Sequence, residues 1–170
     1  TLANQQGLTC AYNDPTRLGI DRWLVMLAAW DRYKKPICVV DCGSAITIDL
    51  VSSSGLHMGG YILPGLRIGV ESLLRGTDKV VVGFDNLNEA TLALGQNTTE
   101  VVYNGAMFSL NANVLAAMES LRERSKEGGC VLMLTGGDGR LVSELTTLES
   151  VYDEDLVLHG LKLYFDTNKS

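Results

Sequence analysis

Between residues 37 and 63, three strand-length runs follow one another with no room for a helix between them. ICVVD (37–41) is apolar and rich in β-branched residues. After Gly43-Ser44 comes AITIDLV (45–51), where Ile46, Ile48 and Leu50 alternate with Thr47 and Asp49. That period of two is the pattern of a half-buried strand. The turn Ser52-Ser53-Ser54-Gly55 leads into HMGGYIL (57–63), a third strand. Strands joined by turns this short pair antiparallel, because a parallel pair needs a crossover of about a dozen residues or more. An antiparallel meander is therefore the frame around which the rest of the chain has to pack.

The flanking segments read as helices. Residues 1–17 are polar, with Asn13-Asp14-Pro15 as a turn. From Gly19 onward Ile20, Trp23, Leu24, Leu27 and Ala28 recur at three- and four-residue steps. This predicts a helix that ends near Tyr33-Lys34-Lys35-Pro36. Pro64 predicts a helix start, with Pro in the first turn, running to about Arg75. A loop then continues through Asn88. Asn97 with Glu100 three residues on has capping-box spacing. It opens a long helix, from Asn97 or Thr98 to about Lys126, with an apolar stripe from Val101 to Leu121 and Gly128-Gly129 as its stop. CVLML (130–134) is a buried strand, TGGD a turn, 139–148 a short helix and 155–165 an amphipathic last helix. A meander followed by alternating strand and helices indicates an α/β domain with a mixed sheet.

Composition narrows the function classes. A net charge of −6 argues against a general nucleic-acid binder, which needs clustered Lys and Arg. The run RERSKE (122–127) mixes both signs and reads as a solvated helix end. No apolar run reaches the roughly 18 residues that span a bilayer, and no signal-peptide pattern opens the sequence. Cys10, Cys38, Cys42 and Cys130 form no CxxC pair, and His57 and His159 stand apart, so a zinc site is not expected. Reduced thiols in a cytoplasmic protein are the expected state.

Neither GxxxxGK[ST] nor GxGxxG occurs, so the commonest phosphate-binding fingerprints are absent. Four polar clusters remain. In YNDPTRLGIDRW (12–23), Asp21 and Arg22 fall in the first turn of a helix. Asp21 is either a helix-end charge that complements the dipole, or a base that deprotonates a hydroxyl nucleophile. Arg22 either pairs with Asp14 or Glu71, or binds an anion. In DCGSAITID (41–49), Asp41 at a strand end, followed by Gly43 and Ser44, suits a cation or a phosphate approached by backbone amides. An ordinary hairpin turn is the plainer alternative. In HMGGYILPGL (57–66), Gly59 and Gly60 inside a strand mark a close approach by backbone or ligand. Pro64-Gly65 then sets a helix N-terminus beside them, though simple packing explains the same residues. In TGGD (135–138), Asp138 is a natural N-cap, and the loop is either a nucleotide edge or a plain turn.

Taken in order, YNDPTRLGIDRW, DCGSAITIDL, GGYILPGL, GQNTTE and LTGGD resemble the type III pantothenate kinase family, which includes Baf-like proteins. The resemblance runs from Tyr12 to the last helix. It implies an actin-like, RNase H-type (ASKHA) fold with a mixed sheet. It also implies phosphorylation of pantothenate by ATP, the first step toward coenzyme A, with Mg2+ and a monovalent cation (K+ or NH4+) in a homodimer. Under it Asp21 is the general base, Tyr12, Gly19 and Arg22 contact pantothenate, and Thr98 reaches pantothenate from the neighbouring subunit. Asp41 matches the cation-associated aspartate. Ser44, beside Gly43, stands where the family usually has threonine, and Gly136, Gly137 and Asp138 match the nucleotide-side loop.

One departure is large. The family opens with a strand and a DxGN[ST] phosphate loop that this sequence lacks, so the resemblance implies a fragment with an incomplete N-terminal lobe. On that reading residues 1–34 are a remnant of the N-terminal lobe. Residues 35–150 are the C-terminal RNase H-like lobe, and 151–170 a C-terminal helix packing toward the N-terminal lobe. The isolated fragment is then inactive or nearly so, with apolar surface exposed on its first and last helices. Two other readings stay open: a non-catalytic Baf-like regulatory or binding protein, and an actin-fold kinase for another polyol. Tests that separate them are ATP turnover and competition by pantothenate.

Overall fold

The computed structural model describes residues 4–77, 82, 87–125 and 129–167. A short hairpin comes first, β1 (Asn4–Gln5) and β2 (Leu8–Thr9), turned by Gln6 and Gly7, both at positive φ. Two positive-φ residues in a two-residue loop match the right-handed twist of the strands they join. After a single 3-10 turn at Pro15–Arg17, α1 (Ile20–Tyr33) leads into the meander β3 (Ile37–Cys42), β4 (Ala45–Val51) and β5 (His57–Pro64). Then come α2 (Leu66–Arg75), α3 (Thr98–Arg124), β6 (Val131–Thr135), α4 (Gly139–Leu145), β7 (Val151–Tyr152) and α5 (Leu156–Thr167).

The five-stranded sheet has the order β5-β4-β3-β6-β7. Its first three strands pair antiparallel, and β6 and β7 continue it in parallel. In chain order that is third, second, first, fourth, fifth, the RNase H-type arrangement that the resemblance implied. Strand alternation decides what each face carries. Cys38, Val40, Ile46, Ile48, Leu132 and Leu134 pack with α2, α3 and α4 in one core. Ile37, Val39, Val51 and Met133 pack with α1 in the other. Asp41 and Asp49 share the period of the second set, so they lie on the α1 side.

That layering changes several expectations. Asp49 was read as the wet side of a half-buried strand, yet it is fully buried, because α1 covers that face. Every residue of α1 from Arg22 to Trp30 is buried, as in a helix covered all round. The β1–β2 hairpin lies over α1, where Trp23 Nε1 donates to Gln5 Oε1 at 3.2 Å. On another side lies α5, where Gly160 sits so close that an added Cβ would come within 2.0 Å of the Leu24 carbonyl oxygen. Arg32 Nη2 donates to Asp153 Oδ2 at 2.7 Å and ties α1 to the segment before α5.

Other boundaries moved for local reasons. Pro64 ends β5 instead of opening a helix, and Gly65 is the N-cap of α2. A Pro is tolerated there because β5 is an edge strand. Helix α4 stops at Leu145, three residues early, where Thr146 turns extended. Strands β1, β2 and β7 are too short for their periodicity to be read. Asn97 caps α3 as its spacing predicted, accepting from the Glu100 amide at 3.0 Å. The predicted helix end at Lys126, its stop at Gly128 and most of the loop before Leu87 lie outside the described residues.

Candidate active site

The site begins at the first turn of α1. Gly19 is its N-cap, and an added Cβ there would come within 2.5 Å of Asp21 Oδ1. Asp21 is exposed, and its Oδ1 accepts from the Arg22 amide at 2.8 Å. Arg22 turns the other way, into the molecule, with 6% of its side chain exposed. It pairs with neither Asp14 nor Glu71: Asp14 caps the 3-10 turn and Glu71 pairs with Arg75. Its partner is Asp49, which accepts from Nε at 2.9 Å and from Nη2 at 2.6 Å. Nη1 donates to the Tyr12 hydroxyl at 2.9 Å. Burial by itself would lower the Arg22 pKa, but the Asp49 hydrogen bonds and charge, with the Tyr12 hydroxyl, raise it further above its ordinary value. His57 does not stand alone as the sequence suggested. Its Nε2 lies 2.9 Å from Asp49 Oδ1, and its ring stacks on Tyr12 with centroids 6.0 Å apart.

Asp41 links this cluster to the loops beyond. Burial and, second, the charge of Asp21 raise its pKa, so the two carboxylates feel one another. Its Oδ1 packs against Gly136, where an added Cβ would approach within 2.5 Å and where φ is +83°. Only glycine meets both demands at this position. The TGGD loop then docks on the end of β3, with the Asp138 amide donating to the Cys42 carbonyl at 3.0 Å. The Gly65 amide donates to the Ser44 carbonyl at 3.0 Å and brings the start of α2 to the same place. The three loops enclose a cavity of about 360 Å³ lined by Gly43, Ser44, Gly65, Arg67, Gly137 and Asp138. Asp138 takes the N-cap position of α4 but makes no capping hydrogen bond from its side chain. Burial raises its pKa, and the nearby Arg67 partly offsets that.

The structure thus brings Tyr12, Gly19, Asp21 and Arg22 together, and gathers Gly43, Ser44, Gly137 and Asp138 around a cavity, with Asp41, packed on Gly136, between the groups. Thr98 stands apart, exposed at the first turn of α3. The sequence reading missed Asp49, His57 and Arg67. Asp49 was hidden by a strand pattern that reads as solvent-facing, and His57 by its distance in sequence from any partner. Arg67, two residues after Gly65 in a first helical turn, was the most readable of the three. A more apolar groove of about 430 Å³ runs between α2 and α3 and is lined by none of these residues except Gly65. Cys42, beside the smaller cavity, is an unreactive thiol: burial, then the charges of Asp41 and Asp138, push its pKa up to about 12.

Could the site hold a cation? Among the described residues no three His, Cys, Asp or Glu side chains converge on a point. An all-protein metal cage is therefore not the fit. Two carboxylates that repel each other beside a glycine-lined cavity do suit a cation shared with a phosphate, since Mg2+ is commonly held by one or two carboxylates plus substrate oxygens.

An α/β domain of RNase H topology, with a carboxylate on an exposed helix start and a second one packed against Gly136 near a glycine-lined cavity, has the parts of a group-transfer site between a hydroxyl and an anion. Comparison with known proteins is specific. The model of the type III pantothenate kinase family matches residues 1–120. The type III pantothenate kinase of Chromohalobacter salexigens is 42% identical over 160 residues, 94% of this chain and 56% of that protein. That of Cellvibrio japonicus is 38% identical over 166 residues, 96% of this chain and 64% of that protein. A crystal structure from Campylobacter jejuni, named as a candidate Baf family transcriptional activator, matches with a TM-score of 0.69 at 28% identity. It covers 94% of this chain and 67% of that one. The chain belongs to the type III pantothenate kinase family, and it spans about three-fifths of the length of these curated relatives.

Proposed function

We propose that the full gene product phosphorylates the primary hydroxyl of pantothenate with ATP, in the cytoplasm, as the first step toward coenzyme A. The observation that carries this is the position of Asp41, within electrostatic reach of Asp21 on one side and packed on Gly136 on the other. An acceptor site and a phosphate site must meet at the transferred group, and Asp41 is where these two clusters meet.

In this reading Asp21 is the general base, exposed and able to take the hydroxyl proton as the bond to phosphorus forms. Tyr12, Gly19 and Arg22 hold pantothenate. Because the Arg22 charge is already matched by Asp49, its contribution is to orient Tyr12 as well as to bind. Gly43, Ser44, Gly136, Gly137 and Asp138 hold the nucleotide, with Arg67 as a further basic group. Asp41 would hold Mg2+ or the monovalent cation (K+ or NH4+), which supplies charge neutralisation at the phosphates when bound. Residues 1–34, with the C-terminal helix against them, belong to an N-terminal lobe in this reading, and 35–150 to the other. The packing of α5 on α1 is in keeping with that division.

The homodimer has its own support. On α3 the side chains of Val101, Phe108 and Leu115 are all exposed, at a spacing of seven. A heptad stripe of exposed apolar residues is the seam of a helix pair. Thr98 lies three residues before Val101 at the end of that stripe, where a helix from one subunit would carry it toward the other. No helix among the described residues is long and apolar enough to cross a membrane.

The test is the full gene product with ATP and pantothenate. Product formation is expected, and Asp21→Asn should lower kcat by about 100- to 10,000-fold with little change in the ATP KM. An Asp21→Asn enzyme that works at the parental rate would sink the assignment of the base.

A further inference from the structure

Beyond matching the Arg22 charge, Asp49 has no role in the reading above, yet it is a fully buried carboxylate with three side-chain donors around it. A carboxylate in this state only accepts, so the His57 nitrogen facing it, Nε2, carries a proton. The other ring nitrogen, Nδ1, is buried with no hydrogen-bond partner among the described residues. Tyr12 closes the circuit, accepting from Arg22 and stacking on His57. Three side chains from three other segments, a loop, α1 and β5, are thereby tied to the one carboxylate on β4. The backbone is shaped for it as well. Gly60 is the register partner of Asp49 on β5. An added Cβ there would come within 2.4 Å of Asp49 Oδ1 and 3.0 Å of Arg22 Nη2.

We propose that Asp49 is the positioning residue of the acceptor side, holding Arg22, His57 and Tyr12 in one arrangement beside Asp21. The inference rests on the kinase reading for its substrate. Asp49 acts at three atoms. Two bonds to the guanidinium set its plane and aim Nη1 at the Tyr12 hydroxyl. The third bond holds a proton on His57 Nε2 and fixes the orientation of that ring. Its charge also offsets that of Arg22, so the acceptor site is not a simple trap for anions. A buried bidentate pair holds this geometry more tightly than an exposed arginine with free rotamers.

The experiment is Asp49→Asn in the full gene product, which keeps the shape and removes the charge. With the fold intact by circular dichroism, the pantothenate KM should rise about tenfold or more, while the ATP KM stays within about twofold. In the parent, nitrogen-15 spectra should show His57 protonated at Nε2, and in the variant the two ring-nitrogen shifts should move toward each other. Unchanged pantothenate KM, equal changes in both KM values, or unmoved His57 shifts would each overturn the proposal. If Asp49→Asn does not fold, Tyr12→Phe, His57→Gln and the double variant decide. A double variant no worse than the more affected single variant supports one coupled unit, and effects that multiply overturn it. A parent that leaves pantothenate unphosphorylated sinks the kinase reading instead, and the His57 spectra still decide what Asp49 controls.

Discussion

Asp41 is a carboxyl held where it is poorly placed for its own ionisation. Burial and the neighbouring Asp21 raise its pKa above the ordinary value of 3.8. The folded form therefore binds a proton more readily than the unfolded form. The stability tied to this carboxyl is complete below the ordinary value and is lost as pH rises through the raised one. Asp41→Asn should accordingly melt at a higher temperature than the parent at pH 7 without ligand, with the gap closing in acid, as read by scanning calorimetry. Adding Mg2+ with nucleotide should raise the parental melting temperature more than that of the variant. A lower melting temperature for Asp41→Asn at pH 7 would contradict this account. Asp49 is held by partners instead. Its charge is fully matched, so Asp49→Ala, which leaves Arg22 buried and unpaired, should cost about 3–5 kcal/mol.

At the scale of elements, two helical glycines make opposite predictions. Gly160 on α5 lies against the Leu24 carbonyl of α1 with no room for a side chain. Gly160→Ala should force the two helices apart and cost about 1–3 kcal/mol in urea unfolding. Gly69, inside α2, has nothing among the described residues within 4 Å of an added Cβ. Gly69→Ala should stabilise by about 0.5–1 kcal/mol, because alanine loses less backbone freedom on forming a helix. Equal effects from the two would mean that the α1–α5 contact is looser than the geometry states. The capping of α3 belongs to the same scale. The Asn97 side chain and the Glu100 carboxylate, which accepts from the Gln96 amide at 2.7 Å, close its first turn and hold Thr98 at the exposed start.

At the scale of the molecule, the sheet separates two cores, and the polar network lies on the α1 side. The exposed stripe of Val101, Phe108 and Leu115 is on the outer side of the other layer. Under the dimer reading, Phe108→Glu should convert the full gene product to a monomer by light scattering. It should also raise the pantothenate KM, because Thr98 is then lost from the partner's site. A variant that stays dimeric would remove α3 from the interface. A monomer with unchanged KM would remove Thr98 from the acceptor site.

Much of this was legible in the residues alone. Three strand runs joined by tight turns can only form a meander. The period-3.6 pattern of α1 and the Asn97–Glu100 spacing are local, so they are written where they act. The Asp21 turn, the Asp41 strand end and the TGGD loop were recognisable because each is a short segment whose neighbours in sequence are its neighbours in space. What tertiary structure decided was which faces stay wet and which distant groups meet. The alternation of β4 placed Asp49 correctly on the face opposite Ile48, but alternation cannot say whether another layer covers that face. Helix α1 does cover it, and burying a carboxylate there requires partners, which Arg22 and His57 supply from 27 and 8 residues away. The sequence by itself determined the longer elements and the motif-bearing loops. The pairing of α1 with the sheet determined that Arg22 turns inward to Asp49 while Asp21, one residue earlier on the same helix, is left exposed.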